Sequence, residues 1–235
     1  MSRLDDLIKA LCPEGVEFKT LREVCHISRG RVMSKDFLRD NAGKYPVYSS
    51  QTANNGIFGY INTYDYDFES ITWTTDGANA GSVFYHNNEQ FSITNVCGLL
   101  KIKDNKLFNT RFIFYVLQIV AKGYVYSGMG NPKLMSNVVS TIKIPLPPLP
   151  VQEEIVRILD AFTELQTALQ AELQAELAAR KIQYEFYRNS LLSFDKMLDK
   201  GMGANYDIIS ELQRAEGRGQ RAEGRGQRAE GRKAA

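Results

Sequence analysis

The sequence predicts an α+β protein: a mixed α/β domain built around a twisted β-sheet, followed by a long coiled-coil-forming α-helix. Three observations carry this. Residues 44–101 are rich in Tyr, Phe, Thr, Ile and Val and are broken by Asn and Gly, which is β composition. Short helical patterns frame that stretch, near residues 2–11 and 109–120. From Val151 to Lys200 there is neither proline nor glycine, and Ala, Leu, Glu, Gln and Arg dominate, the best helix formers. The chain therefore divides into a domain over 1–150, a helix over 151–198 and a tail over 199–235.

In order along the chain, Leu4, Leu7, Ile8 and Leu11 fall at helical spacing, so residues 2–11 form a short amphipathic helix that Pro13-Glu14-Gly15 ends. Val16 to Ile27 reads as a strand and a turn of helix, and Ser28 to Arg31 as a glycine-containing loop with two arginines. Strands follow near Tyr45–Ser49, Ile57–Tyr60, Ser70–Thr74, Ser82–Tyr85 and Val96–Ile102. Asn109 to Val120 is a buried helix stopped at Lys122-Gly123. Gly128 to Lys133 is a flexible loop with one cation. Pro145, Pro147, Pro148 and Pro150 make an extended run of polyproline II character, because proline fixes φ and lacks a backbone donor.

After the prolines, Gln152, Glu153 and Glu154 sit where the positive end of a helix dipole favours acidic residues. A helix from Gln152 to Phe194 would be about 65 Å long. Its apolar residues recur at Ile155, Leu159, Phe162, Leu165, Leu169, Leu173, Leu177, Tyr184, Leu191 and Phe194, a narrow stripe of the kind that forms a coiled-coil seam. Such a stripe cannot be buried by the helix alone; it needs a partner helix, from this chain or from a second copy. From Gln213 the unit QRAEGRG repeats with no large apolar residue, so the tail cannot form a packed core and is expected to be disordered.

The overall net charge of +2 hides a partition. Residues 1–150 carry net +3, residues 151–212 net −5 and residues 213–235 net +4. A mildly basic domain permits nucleic-acid binding, whereas the acidic helix would repel phosphate and should face a protein. No apolar run is long enough to span a membrane, and Asp5, Asp6 and Lys9 break any signal peptide. Cys12, Cys25 and Cys97, odd in number and far apart, suggest reduced thiols in a cytoplasmic protein.

Catalytic machinery is missing from the pattern. There is no P-loop, and His26 and His86, the only histidines, lie in no nucleophile or metal motif. Asn131-Pro132 resembles the start of an amino-methyltransferase motif, but Lys133 and Leu134 follow where a proline and an aromatic are needed. The Asp65/Asp67/Glu69 cluster reads as a solvated face rather than a metal site. No catalytic residue and no metal ligand is therefore expected. The loops YSSQTANNG and TTDGANAG carry many amides and hydroxyls. Turn chemistry explains Asn-Gly and Asp-Gly steps. The alternative is base recognition, since Asn and Gln bond adenine bidentately and Arg does the same to guanine.

At this point the motifs resemble a family. IPLPPLPVQEEIVRILDAF (Ile144 to Phe162) leading to RKIQYEFYRNSLLSF (Arg180 to Phe194) resembles the spacer region of the specificity (S) subunits of type I restriction–modification systems. CPEGVEFKTLREV (Cys12 to Val24), WTTDGANAGSVFY (Trp73 to Tyr85), FSITNVCGLLKI (Phe91 to Ile102) and the segment Gly128 to Leu149 are similar to the family's target-recognition domain. The resemblance implies a non-catalytic subunit that reads one half of a bipartite site on double-stranded DNA, with the long helix setting the gap between half-sites. It implies docking to methyltransferase (M) and restriction (R) subunits, where S-adenosylmethionine, ATP and Mg would act; no cofactor is expected in this chain. Family members usually carry two such domains and two such helices. This chain has one of each, so a second copy, paired antiparallel through the helix, is the expected partner. Two rival readings stand: a truncated or decoy S subunit, and a coiled-coil interaction protein that does not read DNA. From chemistry and loop position, Arg29, Arg31, Gln51, Asn54, Asn55, Thr75 and Asn79 are the candidates for base edges, and Lys35, Lys44, Lys122 and Lys133 for phosphates.

Overall fold

The computed structural model describes residues 2–128 and 130–193; the expected helix beyond Ser193 and the repeat tail lie outside the described residues. The chain falls into two compact units, Met1–Glu164 and Leu165–Ala235.

The first unit opens with α1 (Arg3–Leu11), whose start is fixed by a reciprocal cap: the Asp5 N–H donates to Ser2 Oγ (3.2 Å) and the Ser2 N–H to Asp5 Oδ2 (2.9 Å). Val16 to Ile27 becomes β1 (Phe18–Thr20), α2 (Leu21–Val24) and β2 (Cys25–Arg29), with Thr20 and Glu23 capping the turn of helix. Then come α3 (Lys35–Asp40), β3 (Ala42–Tyr48), β4 (Ile57–Ile61), β5 (Ser70–Thr74), β6 (Val83–His86), β7 (Ser92–Ile93), β8 (Cys97–Ile102), α4 (Thr110–Val120), α5 (Ser136–Val139), β9 (Lys143–Pro145) and α6 (Leu149–Leu192). Five strands fall within two or three residues of the sequence expectation. The sequence reading lacked α3, because six residues held by the Ser34 cap carry too little periodicity to stand out. It also lacked β7 and β9, which are too short to show alternation.

The strands are shared among three sheets: an antiparallel β2-β8-β5-β6, a mixed β4-β3-β7 and a pair β1-β9. Strand β5 is buried along its whole length, with its hydroxyl residues inside. The main core packs Ile71, Trp73 and Leu100 of the four-stranded sheet against Phe112, Ile113 and Leu117 of α4 and against Leu134, Val139, Ile142 and Ile144. Gly98 is required here: a Cβ would lie 2.1 Å from the Trp73 ring, so the indole lies across this position of β8. A second cluster (Tyr48, Phe91, Ile93, Cys97 and Leu99) links the four-stranded sheet to the three-stranded one.

The proline run corrects one expectation. It does not stay extended up to Pro150; α6 already begins at Leu149. Pro150 lies in the first turn, where a missing N–H costs nothing and φ is already helical. The start of α6 is built into the first unit. Val151, Gln152 and Glu154 are buried, and Ile155 and Val156 pack against the main core. The Gln152 amide accepts from the Asn109 N–H (2.9 Å) and donates to the carbonyls of Leu107 (3.1 Å) and Pro147 (2.7 Å). Arg111 on α4 donates to Asp160 (2.6 Å).

Candidate nucleic-acid interface

The candidate surface follows from strand direction. Strands β2 and β5 run antiparallel to β8, with Arg29 opposite Gly98 and Thr74 opposite Cys97. The loops leaving β2 and β5 and the loop entering β8 therefore share one edge of the sheet. The loop after β3 joins them: the Thr94 N–H donates to the Tyr48 carbonyl (2.9 Å) and the Thr94 hydroxyl to Ser49 Oγ (2.9 Å). The loop before α5 joins through Leu134 N–H to the Thr75 carbonyl (2.9 Å), Gly77 N–H to the Pro132 carbonyl (3.1 Å) and the Trp73 indole N–H to the Leu134 carbonyl (3.0 Å). Gly81, in the loop after β5, approaches Lys122 at the end of α4.

Arg29 is half-buried, and its Nη2 donates to Thr75 Oγ1 (3.1 Å) and to the Asn95 carbonyl. Thr75 is fully buried, and its hydroxyl donates to the Val96 carbonyl (2.9 Å). The structure thus places Thr75 beneath the surface as a support for Arg29, not on it. Arg31 is exposed, donates to Asp65 (3.1 Å) and lies over the Phe37 ring at 5.1 Å. The Gln51 amide donates to the Ile57 carbonyl within its own hairpin. Asn54 and Asn55 are exposed and sit in consecutive left-handed conformations (φ 50° and 52°), which asparagine tolerates better than most residues. Asn79 is exposed, and its carbonyl accepts from the Thr74 hydroxyl.

Lys133 is exposed and pairs through its backbone with Tyr126, an aromatic that is 73% exposed. Lys122 is exposed beside the Gly81 loop. Two of the lysine candidates lie elsewhere. Lys44 is near the start of β3, at the other end of that strand from the converging loops, with its ammonium over the Tyr45 ring at 5.0 Å. Lys35 is exposed at the first position of α3. Sequence reasoning missed the carbonyls of Asn95 and Val96, which fix Arg29 and Thr75, because backbone acceptors leave no trace in a sequence. It also missed the pairing of Arg31 with Asp65, thirty-four residues apart.

Other polar groups near this surface have structural partners. Glu69 accepts from the Tyr85 hydroxyl (2.5 Å) and the Thr110 hydroxyl (3.0 Å). Buried His86 sits between Thr72 (2.7 Å) and Glu89, with the Phe91 ring stacked on it. The hydrogen bond from His86 holds the Glu89 carboxyl below its ordinary range. Burial pushes the Cys25 and Cys97 thiols up to about 12, away from the thiolate that a nucleophile or a metal ligand needs. Among the described residues no helix is long and apolar enough to cross a membrane.

Along α6, Ile155 packs on the first unit's core and Leu159 is half-buried. Phe162, Leu165, Leu169, Leu173, Leu177, Tyr184 and Leu191 are 43–66% exposed, so among the described residues the stripe stays uncovered.

Comparison with known proteins matches this arrangement. The family model for the type I restriction modification DNA specificity domain covers residues 13–179. A Mycoplasma pneumoniae chain named as a type I specificity subunit is 40% identical over 189 residues, 80% of this chain and 61% of its own length. The specificity subunit of the type I restriction enzyme MpnII from the same organism is 39% identical over 189 residues, 80% of this chain and 56% of its own. A third relative, named as the N-terminus of a specificity subunit, is 46% identical, with 74% of this chain and 94% of its own length matched. The crystal structure of the S subunit from M. genitalium superposes with a TM-score of 0.57 at 18% identity, over 76% of this chain and 47% of that one, which shows a shared fold. The class is thus a DNA-specificity fold with an attached helix. The chain belongs to the type I restriction–modification DNA specificity family. It spans less than two thirds of the length of the first of these relatives.

Proposed function

We propose that this chain is a non-catalytic subunit that reads one half of a bipartite DNA target through the loop edge and pairs with a second copy of itself through α6. The observation that supports this best is the convergence of five loops at one end of the four-stranded sheet, loops that carry Arg29, Arg31, Gln51, Asn79 and Lys133, with Lys122 beside one of them. Arg29 is suited to guanine: Thr75 and Asn95 hold Nη2 and Met135 Sδ accepts weakly from Nη1 (4.0 Å), which orients the planar fork and still leaves N–H donors free. Lys122 and Lys133 flank it with cations that suit phosphates. Asn54 and Asn55, exposed at left-handed turn positions, serve the hairpin. The M and R subunits of the family supply methyl transfer and cleavage, so S-adenosylmethionine, ATP and Mg belong to those partners.

The test is genome-wide mapping of modified adenines in cells carrying the wild-type chain or Arg29→Ala. A changed or lost motif in the variant supports the assignment; an unchanged motif refutes it. A gel shift with and without M subunits separates this reading from a decoy subunit, which would bind M and leave DNA unshifted.

A further inference from the structure

We infer that Tyr126 reads the 5-methyl group of a thymine in the major groove, an inference that rests on the loop edge being the DNA-reading surface and that adds an apolar contact to its polar ones.

Three short segments place the ring. Tyr126 and Lys133 exchange both backbone hydrogen bonds: the Tyr126 N–H donates to the Lys133 carbonyl (2.9 Å) and the Lys133 N–H to the Tyr126 carbonyl (3.0 Å). On its other side Lys133 pairs antiparallel with Asp76. The Gly77 N–H to the Pro132 carbonyl (3.1 Å) and the Leu134 N–H to the Thr75 carbonyl (2.9 Å) lock those two segments together. Residues paired directly across strands point to one face, and so do residues two apart along a strand. Asp76, Lys133 and Tyr126 therefore share a face, and Met135 joins it beyond Lys133. Burial agrees. Leu134, between Lys133 and Met135, points the other way and is 1% exposed, whereas both its neighbours are exposed.

Met135 ties this face to the arginine proposed to take a guanine, since its Sδ accepts from Arg29 Nη1 at 4.0 Å. Strand geometry puts Tyr126 about 8 Å from Met135, which is roughly two base-pair steps along a duplex. The ring is held as well as placed. A Cβ at Gly128 would overlap it, so the ring rests against bare backbone there, while Tyr126 remains 73% exposed. A clamped backbone and a seated ring leave little freedom to lose on binding.

The chemistry of the groove selects the ligand. Bases in a closed duplex keep their faces stacked, and the thymine methyl is the apolar group their edges offer in the major groove. Lys133, paired with Tyr126, brings a cation that favours the nearby phosphates. Asp76, the acid on this face, lies across Lys133 from the ring, and its Oδ1 accepts from the Gly77 N–H (3.1 Å).

The experiment uses the full chain in complex with M subunits and a duplex carrying the motif mapped for the wild type. Each thymine of the half-site is replaced in turn by deoxyuridine, which lacks only the methyl. One such replacement should weaken wild-type binding about three- to tenfold, the worth of one buried methyl-sized group. It should cost the Tyr126→Ala complex nothing and should keep its cost with Tyr126→Phe, which retains the ring. Both variants should melt with the wild type, because the side chain is exposed. The assignment is overturned if no thymine is sensitive, if Tyr126→Ala keeps the sensitivity, or if Tyr126→Phe loses it and so assigns the contact to the hydroxyl. Arg29→Ala then separates the two levels of failure. A changed motif in that variant leaves the loop edge as the reading surface without Tyr126, and an unchanged motif removes both.

Discussion

Replacing Gln152 by leucine should loosen the joint between α6 and the domain. The Gln152 side chain is 1% exposed and makes three hydrogen bonds, to Asn109 N–H and to the carbonyls of Leu107 and Pro147. Leucine has a similar volume but answers none of them. One donor and two acceptors then lose their partner, the Pro147 carbonyl buried and the other two part-buried, and each orphaned group costs about 1–3 kcal/mol. Part of the loss is recovered by the added apolar surface, so about 3–6 kcal/mol is expected. For a unit of this size, 1 kcal/mol moves the melting temperature by about 2–4 °C. The midpoint should therefore fall by roughly 6–24 °C, measured by circular dichroism. Gln170→Leu, at an exposed position of the same helix, should stay within about 0.5 kcal/mol of wild type. A Gln152→Leu protein that melts within 2 °C of wild type would refute the reasoning, since the orphaned groups would then have found other partners at no cost.

Other consequences follow from the same geometry. Arg29→Ala should shift target choice by the value of a bidentate base contact, about 1–3 kcal/mol, read from the modified-adenine motif; Gln51→Ala and Asn54→Ala test the hairpin loop in the same way. Gly98→Ala should abolish or severely destabilise folding, because its Cβ would sit 2.1 Å from the Trp73 ring; soluble yield and unfolding midpoint report it. The depressed Glu89 carboxyl stabilises the fold at pH values above the ordinary glutamate pKa. That contribution is lost as pH falls through the lower folded value, so Glu89→Gln should flatten the acid limb of the stability curve below about pH 4.5. Inserting four helix-forming residues near Ala175 should lengthen each helix by about 6 Å and widen the gap between half-sites in the mapped motif.

Some of this architecture was legible without coordinates. Long proline-free, glycine-free composition is a local property, and it placed α6 to within three residues of its start. Strand β5 and helix α4 were equally plain, because five β-forming residues and an eleven-residue apolar period each declare themselves. Resemblance over several ordered motifs reached the family that the comparisons show. What failed was short or non-local. Six residues of α3 and two of β7 hold their shape through a cap and a neighbouring strand, which no window of sequence contains.

The candidate surface divides in the same way. By itself the sequence determined that amides, hydroxyls and cations crowd the loops and that the long helix carries a stripe it cannot cover. Only the tertiary structure decided which of those side chains meet. Strand pairing set Arg29 beside Thr75 and the Asn95 carbonyl, put Thr75 beneath the surface and left Lys44 at the far end of β3. The physical reason is that composition and periodicity are fixed by neighbours in the chain, whereas the meeting of residues 29, 75, 95 and 133 depends on strand order and register, which only long-range burial and hydrogen bonding select.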